Sequence, residues 1–188
     1  MKLKIATIDD IDGILKLHSK YQVNTINEED KKDGFVTTAF SKEELRNIIT
    51  KEQGIFIAVD NDIVVGYVMS ASWYYWEQWD MFAFMIKQLP NLQYNGIIIT
   101  KDNSYQYGPV CIDKSVRGTG VLEKLFNFAL DSFSKKYPIL VTFVNKINPR
   151  SFEAHKRKLG LDVIDEFTFN NNYYYEMVYD TKNRVKIK

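Results

Sequence analysis

The segment from Tyr105 to Phe133 constrains the fold more than any other part of the sequence. A largely apolar stretch ends at Asp113, a turn containing Gly118 and Gly120 follows, and an amphipathic run begins directly after it. This order predicts a strand, a glycine turn and a helix. Glycine lets a backbone approach a ligand closely, and the free N–H groups at a helix start attract anions. The segment therefore predicts an α/β protein with a candidate phosphate site, although a turn that needs its glycines only for their backbone dihedral angles is an equal alternative.

Two common nucleotide-binding motifs are excluded at this turn. Gly118 and Gly120 lack the third glycine of a dinucleotide fingerprint, and no Gly-Lys-Ser/Thr follows them as in a Walker loop. Arg117, which directly precedes the glycines, can add a bidentate charged contact to a phosphate. A phosphate site here would therefore depend on main-chain N–H groups and on this guanidinium.

Hydrophobic patterns in the rest of the chain predict a mixed sheet. The predicted order is β-α-α-β-β, an aromatic excursion, and then β-α-β-α-β-β. Early hairpins and a later strand–helix–strand crossover indicate an α/β, or mixed α+β, fold. Ser41 and Glu44 form a sequence capping box that starts the second helix, residues 22–40 are predicted to be a loop or short helical turns, and residues 93–100 a short strand or a loop. The predicted strands are residues 3–8, 55–59, 63–69, 105–113, 139–145, 162–169 and 173–179, and the predicted helices are residues 11–18, 41–52, 122–133 and 149–159.

Composition places the chain among ordinary globular proteins. It has 188 residues, 45% of them hydrophobic, and a net charge of +1, which fit a single domain over residues 1–188 and argue against a general nucleic-acid binder. The lone cysteine, Cys111, cannot form an internal disulfide, and with only His18 and His155 beside it a usual zinc site is not expected. The sequence shows neither the roughly 20 apolar residues of a membrane helix nor a signal-peptide core. We therefore expect a reduced, cytoplasmic protein that uses no metal, nucleic acid or membrane.

Two motifs in the second half of the chain resemble those of the GNAT N-acetyltransferase superfamily. Residues 117–122, Arg-Gly-Thr-Gly-Val-Leu, are similar to its acetyl-CoA loop, Arg/Gln-x-x-Gly-x-Gly/Ala, which follows the family's fourth strand. Leu122 departs from the small residue of that pattern. Residues 148–155, Asn-Pro-Arg-Ser-Phe-Glu-Ala-His, and residues 158–161, Lys-Leu-Gly-Leu, are similar to the family's Asn-x-x-Ser…Ala-His…Lys-Leu-Gly-Phe segment.

The resemblance implies a central, mixed and mostly antiparallel sheet flanked by helices, and an acetyltransferase activity. In that activity an amine, on a small molecule or a peptide, attacks the thioester of acetyl-CoA directly, through a tetrahedral intermediate. The strand before the glycine turn would pair with the pantetheine arm, and the amides of the turn would hold the pyrophosphate. Asn148 would hydrogen-bond the pantetheine or acetyl end, and Phe152 would pack along it. The implied acetyl-CoA contacts are Val110, Cys111, Ile112, Arg117, Gly118, Thr119, Gly120, Val121, Leu122, Asn148 and Phe152.

The resemblance assigns few catalytic side chains. Where family members often place a tyrosine that protonates the thiolate, this sequence has Lys156, with His155 beside it. His155 could act as an acid near neutral pH, or it could be a helix-face residue without a chemical role. Tyr105, Gln106 and Tyr107 occupy the strand where some members place a carboxylate base. The resemblance therefore assigns no base.

The aromatic excursion, residues 73–84, has three interpretations. It could be additional core, an apolar wall or lid at the acceptor site, or a contact in a homodimer. Its position between the third and fourth strands, beside the acetyl end in the folds that the chain resembles, favours an acceptor wall or a lid, and core packing is an equal alternative. Glu77 and Asp80 could contact the acceptor or belong to a solvated helix face. The candidate acceptor-binding residues are Trp73, Trp76, Glu77, Tyr105 and Tyr107.

Three functions are open on the sequence. The first is an N-acetyltransferase. The second is a catalytically inactive GNAT-fold module that binds acyl-CoA, which the missing tyrosine acid allows, and the third is an unrelated phosphate-binding α/β protein. Cys111 does not add a nucleophilic enzyme to these, because a thiol within Val-Cys-Ile on a strand is typical of a buried residue.

Overall fold

The computed structural model describes residues 1–187; Lys188, the last residue of the predicted domain, lies outside the described residues. The chain folds into two compact units, each assembled from separate stretches of sequence. The first unit consists of Met1–Ser70, Gly108–Ala129 and the residues from Val185 on. The second unit consists of Ala71–Tyr107 and Leu130–Arg184.

The helices and strands follow the predicted order, with a small hairpin added after the aromatic excursion. The strands are β1 (Lys2–Ile5), β2 (Ile55–Asp60), β3 (Ile63–Ser72), β4 (Gln93–Tyr94), β5 (Ile97–Ile98), β6 (Ser104–Ile112), β7 (Ile139–Asn145), β8 (Asp162–Phe169) and β9 (Asn172–Asp180). The α-helices are α1 (Ile11–Tyr21), α2 (Lys42–Asn47), α3 (Trp73–Trp76), α4 (Asp80–Gln88), α5 (Val121–Phe133) and α6 (Pro149–Glu153). Short 3-10 turns cover Ile8–Asp10, Glu28–Asp33, Leu89–Asn91 and Lys114–Val116.

The sheet is mixed and mostly antiparallel. Its strands are hydrogen-bonded in the order β1-β2-β3-β6-β7-β9-β8, and β4 pairs with β5. Strand β6 runs parallel to β7, whereas β1 with β2, β2 with β3, β7 with β9 and β8 with β9 are antiparallel. The predicted α/β, mixed α+β fold class is thus confirmed. Strand β6 contributes its first half to the second unit and its second half to the first unit.

In the first unit, the predicted capping box starts α2. Ser41 Oγ accepts a hydrogen bond from Glu44 N at 3.2 Å, and Glu44 Oε2 accepts one from Ser41 N at 2.7 Å. The predicted helix continues past α2, but its last turn, Ile48–Glu52, is a wider π-helical turn. The chain then leaves the helix at Gly54, where a Cβ would lie 1.8 Å from Ser70 O. Only glycine fits this close passage of two backbones.

Helix α5 ties Val185 to the rest of the first unit. Asn127 donates from Nδ2 to Val185 O at 2.8 Å and accepts at Oδ1 from Val185 N at 2.9 Å. One side-chain amide thus satisfies both backbone groups of Val185. Deeper in the same unit, the ring of Phe56 on β2 meets the ring of Phe128 at a centroid distance of 5.6 Å.

In the second unit, β7 is paired along its two edges over different lengths. Its antiparallel ladder with β9 spans the whole strand, whereas its parallel ladder with β6 ends at the pair Gln106 and Val141. The next carbonyl of β6, Tyr107 O, accepts hydrogen bonds from Thr142 Oγ1 at 2.6 Å and from Gln106 Nε2 at 2.7 Å. Side-chain donors therefore replace the backbone partner where the parallel ladder stops.

The aromatic excursion forms the two short helices α3 and α4. Ser72 caps α3, because its Oγ accepts a hydrogen bond from Tyr75 N at 3.3 Å. Residues 93–100, predicted to be a short strand or a loop, contain the two-residue strands β4 and β5. Asn95 and Gly96 turn between them with φ angles of 52° and 76°, as a two-residue hairpin turn requires.

The predicted helix over residues 149–159 begins as α6. It continues as a second π-helical turn, Ala154–Lys158. Pro149 occupies its first position, and Gly160, with a φ angle of 77°, follows its end. The sequence therefore located both ends of this helix, but not its widened last turn.

Candidate functional site

The predicted glycine turn links β6 to α5 in the first unit. Asp113 starts it, since its Oδ1 accepts hydrogen bonds from Ser115 N at 2.9 Å and from Ser115 Oγ at 2.7 Å. Gly118 and Gly120 have φ angles of 82° and 79°, in the region that favours glycine. A Cβ on Gly118 would meet nothing within 4 Å. The dihedral angle, rather than crowding within the protein, therefore requires glycine at position 118.

Helix α5 begins directly after the glycines. Lys124 N donates to Gly120 O at 3.0 Å in the helical i to i−4 pattern. The N–H groups of Val121, Leu122 and Glu123 therefore have no acceptor within α5, and they carry the positive end of the helix dipole. In the turn before them, Arg117 N and Thr119 N already donate to Lys114 O and Val116 O, each at 3.4 Å. This geometry suits a phosphate, which is the role expected for the amides of residues 117–122.

Arg117 is largely engaged with its own chain. Its Nε donates to Ile112 O at 2.9 Å, and its Nη1 donates to Asp33 O at 2.8 Å. The guanidinium carbon lies 5.0 Å from the centroid of the Tyr21 ring. These two guanidinium hydrogen bonds hold the glycine turn and the 28–33 turn in place. Fewer N–H groups of Arg117 are therefore available to a phosphate than the sequence indicated.

A charged network surrounds the first residue of the turn. The Asp113 carboxylate accepts hydrogen bonds from Lys20 Nζ at 2.7 Å and from Tyr21 Oη at 3.4 Å. Burial alone would raise the pKa of Asp113, but the hydrogen bonds from Lys20 and Ser115 lower it to about 2. The carboxylate is therefore ionised and fully engaged at neutral pH, so it is a structural anchor rather than a general base.

Lys114 links the same turn to the acidic 3-10 turn Glu28–Asp33. Its Nζ lies 3.1 Å from Asp30 Oδ1 and 3.3 Å from Asp33 Oδ2, while its backbone N donates to Tyr21 Oη at 2.8 Å. The hydrogen bond to Asp30 contributes most to raising the pKa of Lys114. A second cation of the glycine turn is thus paired with acidic side chains of the first unit.

The three strand residues before the turn differ in burial. Val110 and Ile112 are half-buried, whereas Cys111 is buried. Burial raises the pKa of the Cys111 thiol to about 12, with a small opposing effect of Arg117. The thiol is therefore protonated at neutral pH, which agrees with a buried strand residue.

In the second unit, Asn148 and Phe152 belong to the start of α6. Asn148 Oδ1 accepts a hydrogen bond from Ser151 N at 3.2 Å and so caps the helix. The ring of Phe152 packs on Tyr175 of β9, with ring centroids 4.4 Å apart. Both residues predicted to contact acetyl-CoA thus also have roles in folding this helix.

His155 and Lys156 lie in different surroundings. His155 is 7% exposed, its Nδ1 is 2.7 Å from Ser151 O, and its ring meets Tyr107 edge-to-face at 5.9 Å. Burial lowers the pKa of His155 more than the Ser151 hydrogen bond raises it, so the ring is neutral at neutral pH. Lys156 is exposed, with its Nζ 3.9 Å from Asp162 Oδ1.

The two tryptophans predicted to contact the acceptor are buried in the second unit. Trp73 is fully buried, and its Nε1 donates to Ser104 Oγ at 2.9 Å. Trp76 is 1% exposed, and its ring lies 4.8 Å from that of Phe82. Trp79, which also meets Phe82, is only half-buried. Trp73 and Trp76 therefore contribute to the core of this unit.

The remaining acceptor candidates separate into buried phenols and an exposed carboxylate. Tyr105 packs on Phe133 at a ring distance of 4.7 Å, and burial raises the pKa of both Tyr105 and Tyr107. Neither phenol is ionised at neutral pH. Glu77 is exposed, and its carboxylate accepts a hydrogen bond from Lys101 at 2.5 Å.

The structure adds two buried polar residues that the sequence analysis did not select as candidates. Glu176 on β9 is 2% exposed, and Gln106 on β6 is 1% exposed. Burial, with a smaller contribution from Asp165, raises the pKa of Glu176 to about 7. The available signal was a glutamate at an apolar position of Tyr-Tyr-Tyr-Glu-Met-Val-Tyr, residues 173–179.

Residues 1–187 contain neither a metal-binding cluster nor a membrane-spanning helix. These residues contain no group of three or more His, Cys, Asp or Glu that could hold a metal ion. None of the helices in the same part of the chain is both long enough and apolar enough to cross a membrane.

Comparison with known proteins identifies the fold. The sequence matches no protein-family model and no curated protein. The solved structures that are similar to it include the following three. The first is smu.2055 from Streptococcus mutans UA159, with a TM-score of 0.65, 17% identity, and coverage of 96% of this chain and 99% of that chain. The second is yncA from Salmonella typhimurium, solved with its cofactor acetyl-CoA, with a TM-score of 0.62, 14% identity, and coverage of 98% and 95%.

The third is the ribosomal-protein-alanine N-acetyltransferase from Brucella melitensis. Its TM-score is 0.61 at 16% identity, and the similarity covers 96% of this chain and 99% of that chain. At this level of sequence identity, the similarity shows a shared fold and nothing finer. Together with the strand order and the glycine turn before α5, these structures show that the chain has the GNAT N-acetyltransferase fold.

Proposed function

We propose that this protein is an N-acetyltransferase that moves an acetyl group from acetyl-CoA to an amine. The observation that carries the proposal is the glycine turn of the first unit, where two glycines of positive φ precede a helix start whose amides have no intrahelical acceptors. The fold supports it, because yncA has this fold and was solved with acetyl-CoA as its cofactor. We also propose that residues 1–188 act as one domain, since β6 belongs to both units.

The residues that would hold acetyl-CoA are those the resemblance implied. The amides of residues 117–122 would bind the pyrophosphate, and Arg117 would support them mainly by fixing the turn. The backbone of Val110–Ile112 would pair with the pantetheine arm as an added strand does. Asn148 and Phe152 would contact the pantetheine or acetyl end.

The chemistry needs little covalent participation from the protein. The lone pair of a neutral amine attacks the thioester carbonyl, a tetrahedral intermediate forms, and the C–S bond breaks with its electrons on sulfur. The proton lost by nitrogen balances the proton gained by the thiolate. A backbone N–H near Ile112 would polarise the carbonyl and stabilise the oxyanion.

His155 and Lys156 are the proposed proton donors to the leaving thiolate. The lowered pKa of buried His155 argues against an imidazolium acid at neutral pH. Lys156 is exposed and could donate from its ammonium. These differences favour Lys156 of the two.

A binding module without turnover is the second candidate. The observation that favours it is the burial of Tyr105, Tyr107 and His155, which removes three acid–base groups from ready contact with solvent. Such a module would keep the glycine turn and bind acetyl-CoA, but it would release no CoA thiol in the presence of amines.

Acetyl-CoA should stabilise the folded protein. At about 100 times its Kd, a ligand that binds only the native state adds about 2.7 kcal/mol to the free energy of unfolding. Thermal unfolding with and without acetyl-CoA measures this, and an assay of free CoA thiol over a panel of amines measures turnover. Stabilisation with amine-dependent thiol release supports the transferase, and stabilisation without release supports the binding module. No stabilisation by millimolar acetyl-CoA would contradict both.

A negative charge at the glycine turn should weaken CoA binding selectively. Gly118→Asp places a carboxylate beside the pyrophosphate, and Gly118→Asn is the matched control because Asn has the same shape and tolerates positive φ. We expect Asp to cost about 1 to 4 kcal/mol more than Asn in CoA affinity, the range of repulsion between close charges near a protein surface. Pantetheine, which lacks the pyrophosphate, should bind both variants alike. Equal CoA affinity of the folded Asp and Asn variants would place the pyrophosphate elsewhere.

A further inference from the structure

Glu176 lies on one face of the β7–β9–β8 sheet in the second unit. Its cross-strand partners are Phe143 on β7 and Asp165 on β8. Directly opposed residues share a face, so these three side chains lie on the same side. Gln106, which pairs with Val141 two residues before Phe143, lies on that side as well.

Two buried hydrogen-bond acceptors on this face are unpaired. Within residues 1–187, neither Glu176 Oε1 nor Gln106 Oε1 has a hydrogen-bond partner, although both atoms are buried. The orientation of Gln106 is fixed, because its Nε2 donates to Tyr107 O at 2.7 Å. Buried polar atoms are nearly always paired, and an unpaired one costs stability. The complementary ligand would therefore carry N–H or O–H donors.

Aromatic rings cover the same face. The ring centroid of Phe143 lies 5.7 Å from that of Phe82 on α4 and 5.6 Å from that of Tyr174 on β9. Phe82 is in turn 4.8 Å from Trp76. Aromatic surfaces accept alkyl and aryl groups and attract ammonium ions. A carboxylate among such rings favours a cationic amine carried on an apolar group.

The ionisable groups around Glu176 are few. Strand β8 contributes Asp165 and strand β9 contributes Tyr174, while β7 presents Phe143 and α4 adds Phe82 to the same cluster. Burial and, to a smaller extent, the negative charge of Asp165 together raise the pKa of Glu176 to about 7. Neither of these two ionisable neighbours is a cation, so an incoming ammonium would bring a positive charge to the cluster.

We propose that Glu176 binds the ammonium group of the acceptor and takes its proton, and that the acceptors are primary amines on apolar, especially aromatic, groups. This inference rests on the proposed acetyltransferase function. One N–H bond of R–NH3⁺ breaks, and the proton passes to the Glu176 carboxylate to give R–NH2 and a neutral carboxyl group. The freed lone pair then attacks the thioester carbonyl. Because Glu176 is 2% exposed, the amine reaches it only when the covering side chains move aside.

The test compares two probes on three proteins. The probes are 2-phenylethylamine, which is protonated at neutral pH, and 4-ethylaniline, which is not. The proteins are the parent, Glu176→Gln and the control Glu166→Gln, since Glu166 pairs with Tyr175 and lies on the opposite face of the same sheet. We expect Glu176→Gln to lower kcat/KM for 2-phenylethylamine about 100-fold or more, as for loss of a proton acceptor, and to change that for 4-ethylaniline little. In Glu176→Gln, the fall in rate on the acid side of the pH–rate profile should disappear, and the Kd of acetyl-CoA should not change. The control Glu166→Gln should keep the kcat/KM values and the pH–rate profile of the parent.

Three results would overturn the inference. The first is a folded Glu176→Gln variant whose pH–rate profile and kcat/KM are those of the parent. The second is an equal loss of kcat/KM for both probes in Glu176→Gln together with weaker acetyl-CoA binding. The third is a parent protein that binds acetyl-CoA but acetylates neither probe. A parent protein that does not bind acetyl-CoA would instead refute the proposed function itself.

A second measurement needs no variant. On the parent protein loaded with CoA, 2-phenylethylamine should bind at least about tenfold more tightly than 2-phenylethanol, the fold-change of a charge-assisted hydrogen bond. Equal binding of the amine and the alcohol would also overturn the role of Glu176, whether or not Glu176→Gln folds.

Discussion

Replacing Glu176 by Gln should remove a pH dependence of stability worth about 3 kcal/mol. Burial, with Asp165, raises the pKa of Glu176 from 4.5 in the unfolded chain to about 7 in the folded protein. Between these two values the folded protein holds a proton that the unfolded chain releases, so the parent protein loses stability as the pH rises through this window. Each pKa unit is worth 1.36 kcal/mol, which gives about 3 kcal/mol between pH 4.5 and pH 8.

Urea unfolding of the two proteins at several pH values measures this effect. The difference in unfolding free energy between Glu176→Gln and the parent should shift in favour of the variant as the pH rises. Any cost of a buried amide is the same at every pH and cancels from that shift. Glu166→Gln, an exposed change next to Lys146, should follow the parent curve. Parallel curves for Glu176→Gln and the parent would show that Glu176 does not titrate with a raised pKa.

Truncating the buried tryptophans should unfold the protein more readily than truncating their half-buried neighbour. Trp73 is fully buried and bonded to Ser104, and Trp76 is 1% exposed, so either change to Ala should cost about 3 to 5 kcal/mol in unfolding free energy. Trp79 is half-buried, so Trp79→Ala should cost clearly less. Chemical unfolding measures all three, and acetyl-CoA affinity is followed in parallel.

The outcome decides between two interpretations of the aromatic excursion. If Trp73→Ala and Trp76→Ala lose stability and all ligand binding together, these residues are core. If they lose less than about 1 kcal/mol and only the KM for the amine rises, they form an acceptor wall, and the burial seen here does not measure their role.

Local rules predicted most elements of this fold. The capping box at Ser41 and Glu44 gave the start of α2, and an apolar run gave β7 at residues 139–145. The Asn-rich turn between residues 169 and 172 gave the last hairpin. These features depend on residues close in sequence, which is why the sequence suffices to find them.

The burial of the aromatic excursion and of Glu176 could not be predicted in the same way. Aromatic residues on every face of α3 and α4 blur the helical period, so the buried side is set by packing against residues distant in sequence, such as Phe143. Glu176 is one charged residue in a strand, and only the pairing with β7 and β8 shows that it is enclosed. Arg117 donates to Ile112 O nearby in sequence and to Asp33 O in the 28–33 turn. The second contact likewise could not be predicted, because that turn lies far from Arg117 in sequence.

The interleaving of the two units has a consequence for dissecting the protein by truncation. Residues 1–70 and the residues from Val185 on belong to the same unit, with Asn127 bonded to both backbone groups of Val185. No single cut in the chain therefore yields a fragment that contains one unit whole and none of the other. A fragment that ends near residue 129 lacks the Val185 contact of the first unit and still carries residues 71–107 of the second. Point substitutions, rather than deletion fragments, are therefore suited to assigning roles within this chain.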